Sequence, residues 1–209
     1  MDAIVVLMST NKSPRYRATI TAGSLKVSES RHIAELLLLG VDAQAWNTAI
    51  QDENILQVRS PKSARILANL LRARLEPMQP ELWQMVSKGS TVLATQACLA
   101  ASIKHSALLG DFLDLVVREQ YHIFQPALSK ALWVKYVEDC GNRDPKMLQW
   151  NDSTTTRLRS TVFQILAQAG YIENTKTLKL QSVHIAQELL QYLVDNDEQY
   201  VLRCLKVGP

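Results

Sequence analysis

Two prolines, Pro61 and Pro77, bracket a stretch that can only be a short, sharply bounded helix. Ser60 is a good N-cap, and Pro61 at the first helical position gives up no hydrogen bond that the helix needs. Pro77 biases Glu76 away from helical geometry and supplies the stop. At about 100° per residue, Ala64, Ile66, Leu67, Leu70, Leu71 and Leu75 share one broad side, and Lys62, Arg65, Asn69 and Arg72 line the other. A helix with an apolar back and a basic front can lie against a nucleic-acid backbone. It is equally what an ordinary solvated helix face looks like. Arg74 falls toward the apolar side, which predicts a snorkelling or paired arginine.

The chain has 209 residues, 47% of them apolar, enough for a sizeable core in one domain or two small ones. The formal net charge of +3 says less than its distribution. Between Ser9 and Arg31, Lys12, Arg15, Arg17, Lys26 and Arg31 face one acid, Glu29, and Arg59 to Glu76 repeats that imbalance. Residues 182–198 carry Glu188, Asp195, Asp197 and Glu198 with no Lys or Arg. Such segregation suggests a basic working surface. Cys98, Cys140 and Cys204 are far apart and lack zinc or C-x-x-C spacing, so free buried thiols are expected. The apolar start, Met1 to Met8, has no basic residue ahead of it and is a poor signal peptide. No apolar run reaches about 18 residues, so no spanning helix is expected and the chain reads as soluble and cytoplasmic.

Taken in order, residues 1–14 read as loosely ordered, and the Ser13–Arg17 mix of cations and tyrosine as an arm for a partner. A helix follows at 29–39, with Ser28 as N-cap, Gly40 as stop, and Ile33, Leu36 and Leu37 inward. A second, at 43–51, is capped by Asp42 and buries Ala45, Trp46 and Ala49. With the helix at 61–76 this makes three helices, the last basic, as in a helix-turn-helix with a long connection. Pro77 and Pro80 mark a boundary. Helices at 81–87, 91–104, 107–120 and 126–139 form a charge-balanced scaffold with Leu82, Trp83, Val86, Leu93, Leu99, Leu108, Leu109, Phe112, Leu113 and Trp133 in its core. The expected organisation is therefore 1–76, 77–150 and 151–209, which can also fold as one continuous unit.

The last region carries a second polar helix, at 154–169, with Leu158, Val162, Ile165, Leu166 and Ala169 on one face. Thr154, Arg157, Ser160, Thr161, Gln164 and Gln168 are assigned to its start and other face, and Gly170 ends it. Residues 171–180 read as a small hairpin with a polar centre, followed by helices at 183–194 and 197–206. Helix, glycine stop and basic hairpin is the order of the second half of a winged helix-turn-helix. Arg157, Ser160, Thr161 and Gln164 would then meet base edges, with Lys176 and Lys179 touching phosphates from the wing. An ordinary helix and hairpin with a polar face fits the pattern as well.

The sequence has no G-x-x-x-x-G-K-[ST], H-E-x-x-H or G-x-S-x-G. Asp111 and Asp114 are an i, i+3 carboxylate pair, for which a solvated face or helix capping is the expected role rather than a metal. No catalysis, metal or cofactor is expected.

The run Tyr16 to Leu25, then Glu29-Ser30-Arg31, Glu53-Asn54-Ile55-Leu56, Arg59 to Arg65 and Arg72-Ala73-Arg74-Leu75 resembles the BrxA family of BREX (bacteriophage exclusion) defence systems. Pro80-Glu81-Leu82-Trp83, Leu108 to Phe112 and Phe163 to Gly170 are similar too, so the resemblance spans nearly the whole chain. It implies an all-α globular protein with two helix-turn-helix motifs flanked by positive surface, ending in the helices at 61–76 and 154–169. It also implies double-stranded DNA binding and a place beside a methyltransferase and ATPases in a defence operon. An inner-membrane location has been attached to the family as well, and this sequence gives it no support.

The resulting expectation is a non-enzymatic, monomeric, double-stranded DNA-binding component of a BREX system. Arg59, Lys62, Arg65, Arg72, Arg157, Arg159, Lys176 and Lys179 supply most of the binding. Two alternatives stay open. One is a scaffold whose basic faces dock other defence proteins, in which case Trp46 or Trp83 should be exposed. The other is a repressor of its own operon.

Overall fold

The computed structural model describes residues 15–145, 147 and 150–208. The apolar start and the first two residues of the expected arm lie outside them. After a 3-10 turn, Thr19–Ala22, come α1 (Val27–Leu39) and α2 (Ala43–Asn47), which continues into a π-helical turn, Thr48–Asp52. Then follow α3 (Pro61–Leu75), α4 (Pro80–Lys88), α5 (Thr91–His105) and α6 (Ala107–Asp111). A second π turn, Phe112–Val117, joins α6 to α7 (Arg118–His122). The chain ends with α8 (Lys130–Arg143), α9 (Asp152–Gln168), α10 (Gln187–Asp195) and α11 (Gln199–Leu205).

The local signals act as the chemistry requires. Ser60 accepts from the Ser63 N–H at 3.2 Å, and Pro61 opens α3. Asp42 caps α2 through the Ala45 N–H at 2.8 Å, and Gly40 closes α1 in the left-handed conformation. Several expectations shift. Helix α1 starts at Val27, before Ser28, behind a left-handed Lys26. The π turn after α2 rotates its inward face, so Ala49 and Ile50 are buried while Ala45 is exposed. The N-cap of α9 is Asn151, whose side chain accepts from the Thr154 N–H at 2.8 Å.

Residues 126–128 are extended rather than helical, because they pair with the segment expected to be the hairpin. Leu128 donates to the Leu178 carbonyl and Leu180 to that of Pro126, at 2.9 and 3.0 Å. On the other side Glu173 donates to Lys179 and Gln181 to Tyr171, at 2.8 and 3.0 Å. Three short segments thus lie side by side, 178–181 in the middle. The pairing amounts to single antiparallel bridges, Ala127 with Lys179 and Ile172 with Leu180, so the described residues hold no strand and the fold is all-α. The tip is closed by Asn174, whose side chain accepts from the Lys176 and Thr177 N–H groups at 2.8 and 2.9 Å.

Buried apolar residues from Tyr16 to Val207 form one hydrophobic cluster, which runs through all three expected regions. Helices α10 and α11 return to pack on α4, α5 and α6. Residues 183–186 are not helical. Buried Gln96 holds them, donating to the His184 carbonyl and accepting from the Ala186 N–H, both at 2.8 Å. The three cysteines are free and buried. Trp83 is half-buried and donates to the Leu75 carbonyl at 2.8 Å, and Trp46 is half-buried too, so neither is the open apolar anchor that the scaffold alternative asked for.

Among the described residues no single helix is long and apolar enough to cross a membrane. Helix α5 and the stretch Ala107–His122 pass that test only as a pair bent by 108°, and most of α5 is buried in the core.

Candidate nucleic-acid interface

Helix α3 buries Ala64, Leu67, Ala68, Leu70, Leu71 and Leu75. Its basic side stays open: Lys62, Arg65, Asn69 and Arg72 are exposed, as is Arg59 just before it. One assignment fails, since Ile66 is 54% exposed instead of facing the core. Arg72 is not an idle cation. Its guanidinium lies 4.7 Å from the Trp46 ring centroid and donates to Glu76 at 2.6 Å. Arg74, placed by its periodicity on the wrong side for a charge, is 2% exposed and forks onto the carbonyls of Ser24 and Gly23 at 2.7 and 2.8 Å. Burial pushes its pKa down to about 10, which leaves it cationic at neutral pH.

Helix α9 buries Leu158, Val162, Ile165 and Leu166 as its pattern predicts. Arg157, Ser160 and Gln164 are exposed, while Thr154 and Arg159 are half-buried. Thr161 departs from its expected place. It is 6% exposed, and its hydroxyl donates to the Arg157 carbonyl at 3.0 Å, so it is not on the open face. The Ser160 hydroxyl is likewise turned back to the Thr156 carbonyl at 3.0 Å. Lys176 and Lys179 are exposed on the turn and its return segment.

The structure adds a neighbour that sequence spacing did not reveal. Lys130, at the start of α8, joins Arg159, Ser160, Phe163, Gln164 and Thr175 around a recess of about 250 Å³. Two helices and the turn tip meet there, and no carboxylate lines it. The two basic helices are tied together by the segment after Tyr16. The Thr19–Ala22 turn packs on α9 and α3, the Leu25 N–H donates to Gln168 of α9 at 3.1 Å, and Arg74 of α3 holds Gly23 and Ser24.

The carboxylate pair is used internally. Asp111 is 5% exposed and accepts from the Arg15 guanidinium at 2.9–3.1 Å, the Tyr16 hydroxyl at 2.8 Å and the Tyr200 hydroxyl at 2.7 Å. Asp114 pairs with Arg118 at 3.0 Å and Arg203 at 2.9 Å. Neither carboxylate is the solvated or capping group expected from the sequence. Arg15 and Tyr16 are part of this network, not a free arm. Among the described residues no three His, Cys, Asp or Glu side chains group as metal ligands.

A profile of the BrxA family matches residues 14–197. The chain belongs to the BrxA family. Its relatives include the BREX protein BrxA of Paramagnetospirillum magneticum (strain ATCC 700264 / AMB-1), 55% identical over 195 residues, covering 93% of this chain and 98% of that one. The BREX protein BrxA of Escherichia coli O9:H4 (strain HS) is 32% identical over 181 residues, 85% of each chain. That of Bacillus cereus (strain H3081.97) is 26% identical over 165 residues. A crystal structure of an uncharacterized protein from Magnetospirillum magneticum superposes with a TM-score of 0.87 at 54% identity, covering 93% of this chain and all of that one. The BrxA family supplies a component of BREX phage-defence systems, which identifies the biological setting.

Proposed function

We propose that this BrxA family member is a non-enzymatic, monomeric double-stranded DNA-binding component of a BREX system, acting in the cytoplasm. The observation that carries the reading is the recess at Lys130, Arg159, Ser160, Gln164 and Thr175. Its cations come from two helices and have no acid among them, which suits a phosphate backbone crossing between α9 and the turn. The order of elements supports it. An extended segment (126–128), two helices, and two further extended segments, the last paired with the first, is the order of a winged helix-turn-helix. The connection between α8 and α9 is longer than a tight turn, as is the one before α3. The exposed basic side of α3 supplies a second contact.

Fluorescence anisotropy with a labelled duplex at several salt concentrations tests the reading. If about six phosphates are neutralised, log affinity falls against log salt with a slope near −5. Lys62→Glu/Arg65→Glu and Lys130→Glu/Arg159→Glu, each checked for fold by circular dichroism, should both weaken binding and flatten the slope. Absence of binding by the folded protein at low salt overturns the reading and turns attention to methyltransferase and ATPase partners.

A further inference from the structure

A second cationic recess, of about 270 Å³, forms where the first described residues meet the junction of α5 and α6. Arg15, Arg17 and Thr19 line it from one segment, and Lys104, His105 and Ser106 from the other. Neither basic helix contributes to it. Two of its cations are held from behind by acids that do not line the recess. Asp111 takes Nε and Nη2 of Arg15 at 2.9–3.1 Å, which leaves Nη1 unbonded. Glu198 takes the Lys104 ammonium at 2.7 Å through both oxygens, which leaves that group at least one N–H to donate. Arg17 is exposed and makes no hydrogen bond, ion pair or ring contact. The field inside is cationic. Burial, Arg74 and Arg17 hold the His105 imidazole below its ordinary range against the Ala73 carbonyl, and no carboxylate offsets them.

Two hydroxyls complete the wall. Thr19 Oγ1 is buried with no hydrogen-bond partner, an unfavourable state for a polar group. Thr19 itself lines the recess, so a change of χ1 rotamer can turn that hydroxyl into it. Ser106 is 3% exposed and accepts from the Leu109 N–H, which leaves its own proton free to donate.

We propose that this recess binds the terminal phosphate of a small phosphate monoester, with Arg17, Lys104 and Thr19 as its main contacts. Donors converge from two chain segments, as a tetrahedral dianion requires, and guanidinium and ammonium groups bond such oxygens strongly. The volume is below the range of about 300–1,000 Å³ for a whole small molecule, so it suits a headgroup whose remainder stays in solvent. A phosphate within a duplex carries a sugar on each side and cannot enter a recess in this way. The site is separate from the proposed DNA surface and does not depend on it.

The test is calorimetric titration of the whole protein with inorganic phosphate at constant ionic strength, with acetate as the carboxylate control. Saturable binding of phosphate and none of acetate are expected. Arg17→Ala should weaken it about tenfold or more, and Thr19→Val about threefold. Thr19→Val removes an unpaired hydroxyl at nearly constant shape, so its melting temperature without phosphate should be unchanged or higher. A purely structural threonine would show the opposite. Lys62→Glu/Arg65→Glu and Lys130→Glu/Arg159→Glu should bind phosphate as the wild type does, and a saturating duplex should leave the isotherm unchanged. Binding weaker than about 10 mM overturns the proposal. So does equal binding of acetate, displacement of phosphate by duplex, or binding that Arg17→Ala leaves intact. The DNA reading is judged by the duplex titration alone, so either can fall without the other.

Discussion

Asp111 holds two remote chain segments against its own. It ties the N-terminal segment, through Arg15 and Tyr16, and α11, through Tyr200, to the central helix. Gly110 leaves the space for this. A Cβ there would overlap the Tyr200 hydroxyl and ring. From sequence the residue could only be weighed as a metal ligand, a cap or a solvated acid, because its partners are 89 to 96 residues away. Removing one partner of a buried pair leaves the others uncompensated. Arg15 is 57% exposed and can return to water, so the loss falls on the Tyr16 and Tyr200 hydroxyls, and Asp111→Ala is expected to cost about 1–3 kcal/mol in urea unfolding. Asn at this position, which keeps one acceptor oxygen, should cost less. A role in a reaction would instead show as lost activity at unchanged stability.

At the scale of elements, the boundaries written in caps and prolines are the ones that stand. Ser60–Pro61, Asp42 and Gly40 act through neighbours three or four residues away, so their effect is local. Ser60→Ala should cost about 1 kcal/mol, read as a lower urea midpoint at unchanged slope. Faces are less legible than boundaries. The inward side of α2 turned because a π turn follows it, and Ile66 and Thr161 exchanged environments relative to their wheel positions. Polarity assigns a face only on average, and a hydroxyl that bonds its own helix carbonyl can be buried at little cost. The arginines at 62–76 illustrate the same point. Arg65 is open, Arg72 lies on Trp46, and Arg74 is in the core, though all three looked alike as cations.

For the whole molecule, one core joins the first described residues to the last, and its tyrosines give stability a pH dependence. Burial, then hydrogen bonding to Asp111, raises the Tyr16 and Tyr200 hydroxyls well above the ordinary phenol range; burial likewise raises Tyr136 and Tyr171, and pushes Tyr121 up to about 12. The folded state thus keeps protons that the unfolded chain loses as pH passes about 10. The stabilisation is complete below that pH and declines above it. The urea midpoint is expected to be steady to about pH 9 and to fall by about pH 11, with a shallower fall in Tyr200→Phe.

The chain's sequence alone determined its helical class, most helix ends, the core faces of α3 and α9, the free buried thiols, and two basic helices worth testing on DNA. All of these depend on periodicity or on chemistry within a few residues. Tertiary structure decided what depends on distant partners. It made 126–128 an extended segment because 178–181 lies beside it, and it spent Asp111 on Arg15, Tyr16 and Tyr200. It also brought Lys130 to the α9 recess and left Ile66 in the open. The physical reason is the same each time. Capping and amphipathic patterning act within a turn or two, whereas burial and charge pairing are settled only when remote segments pack together.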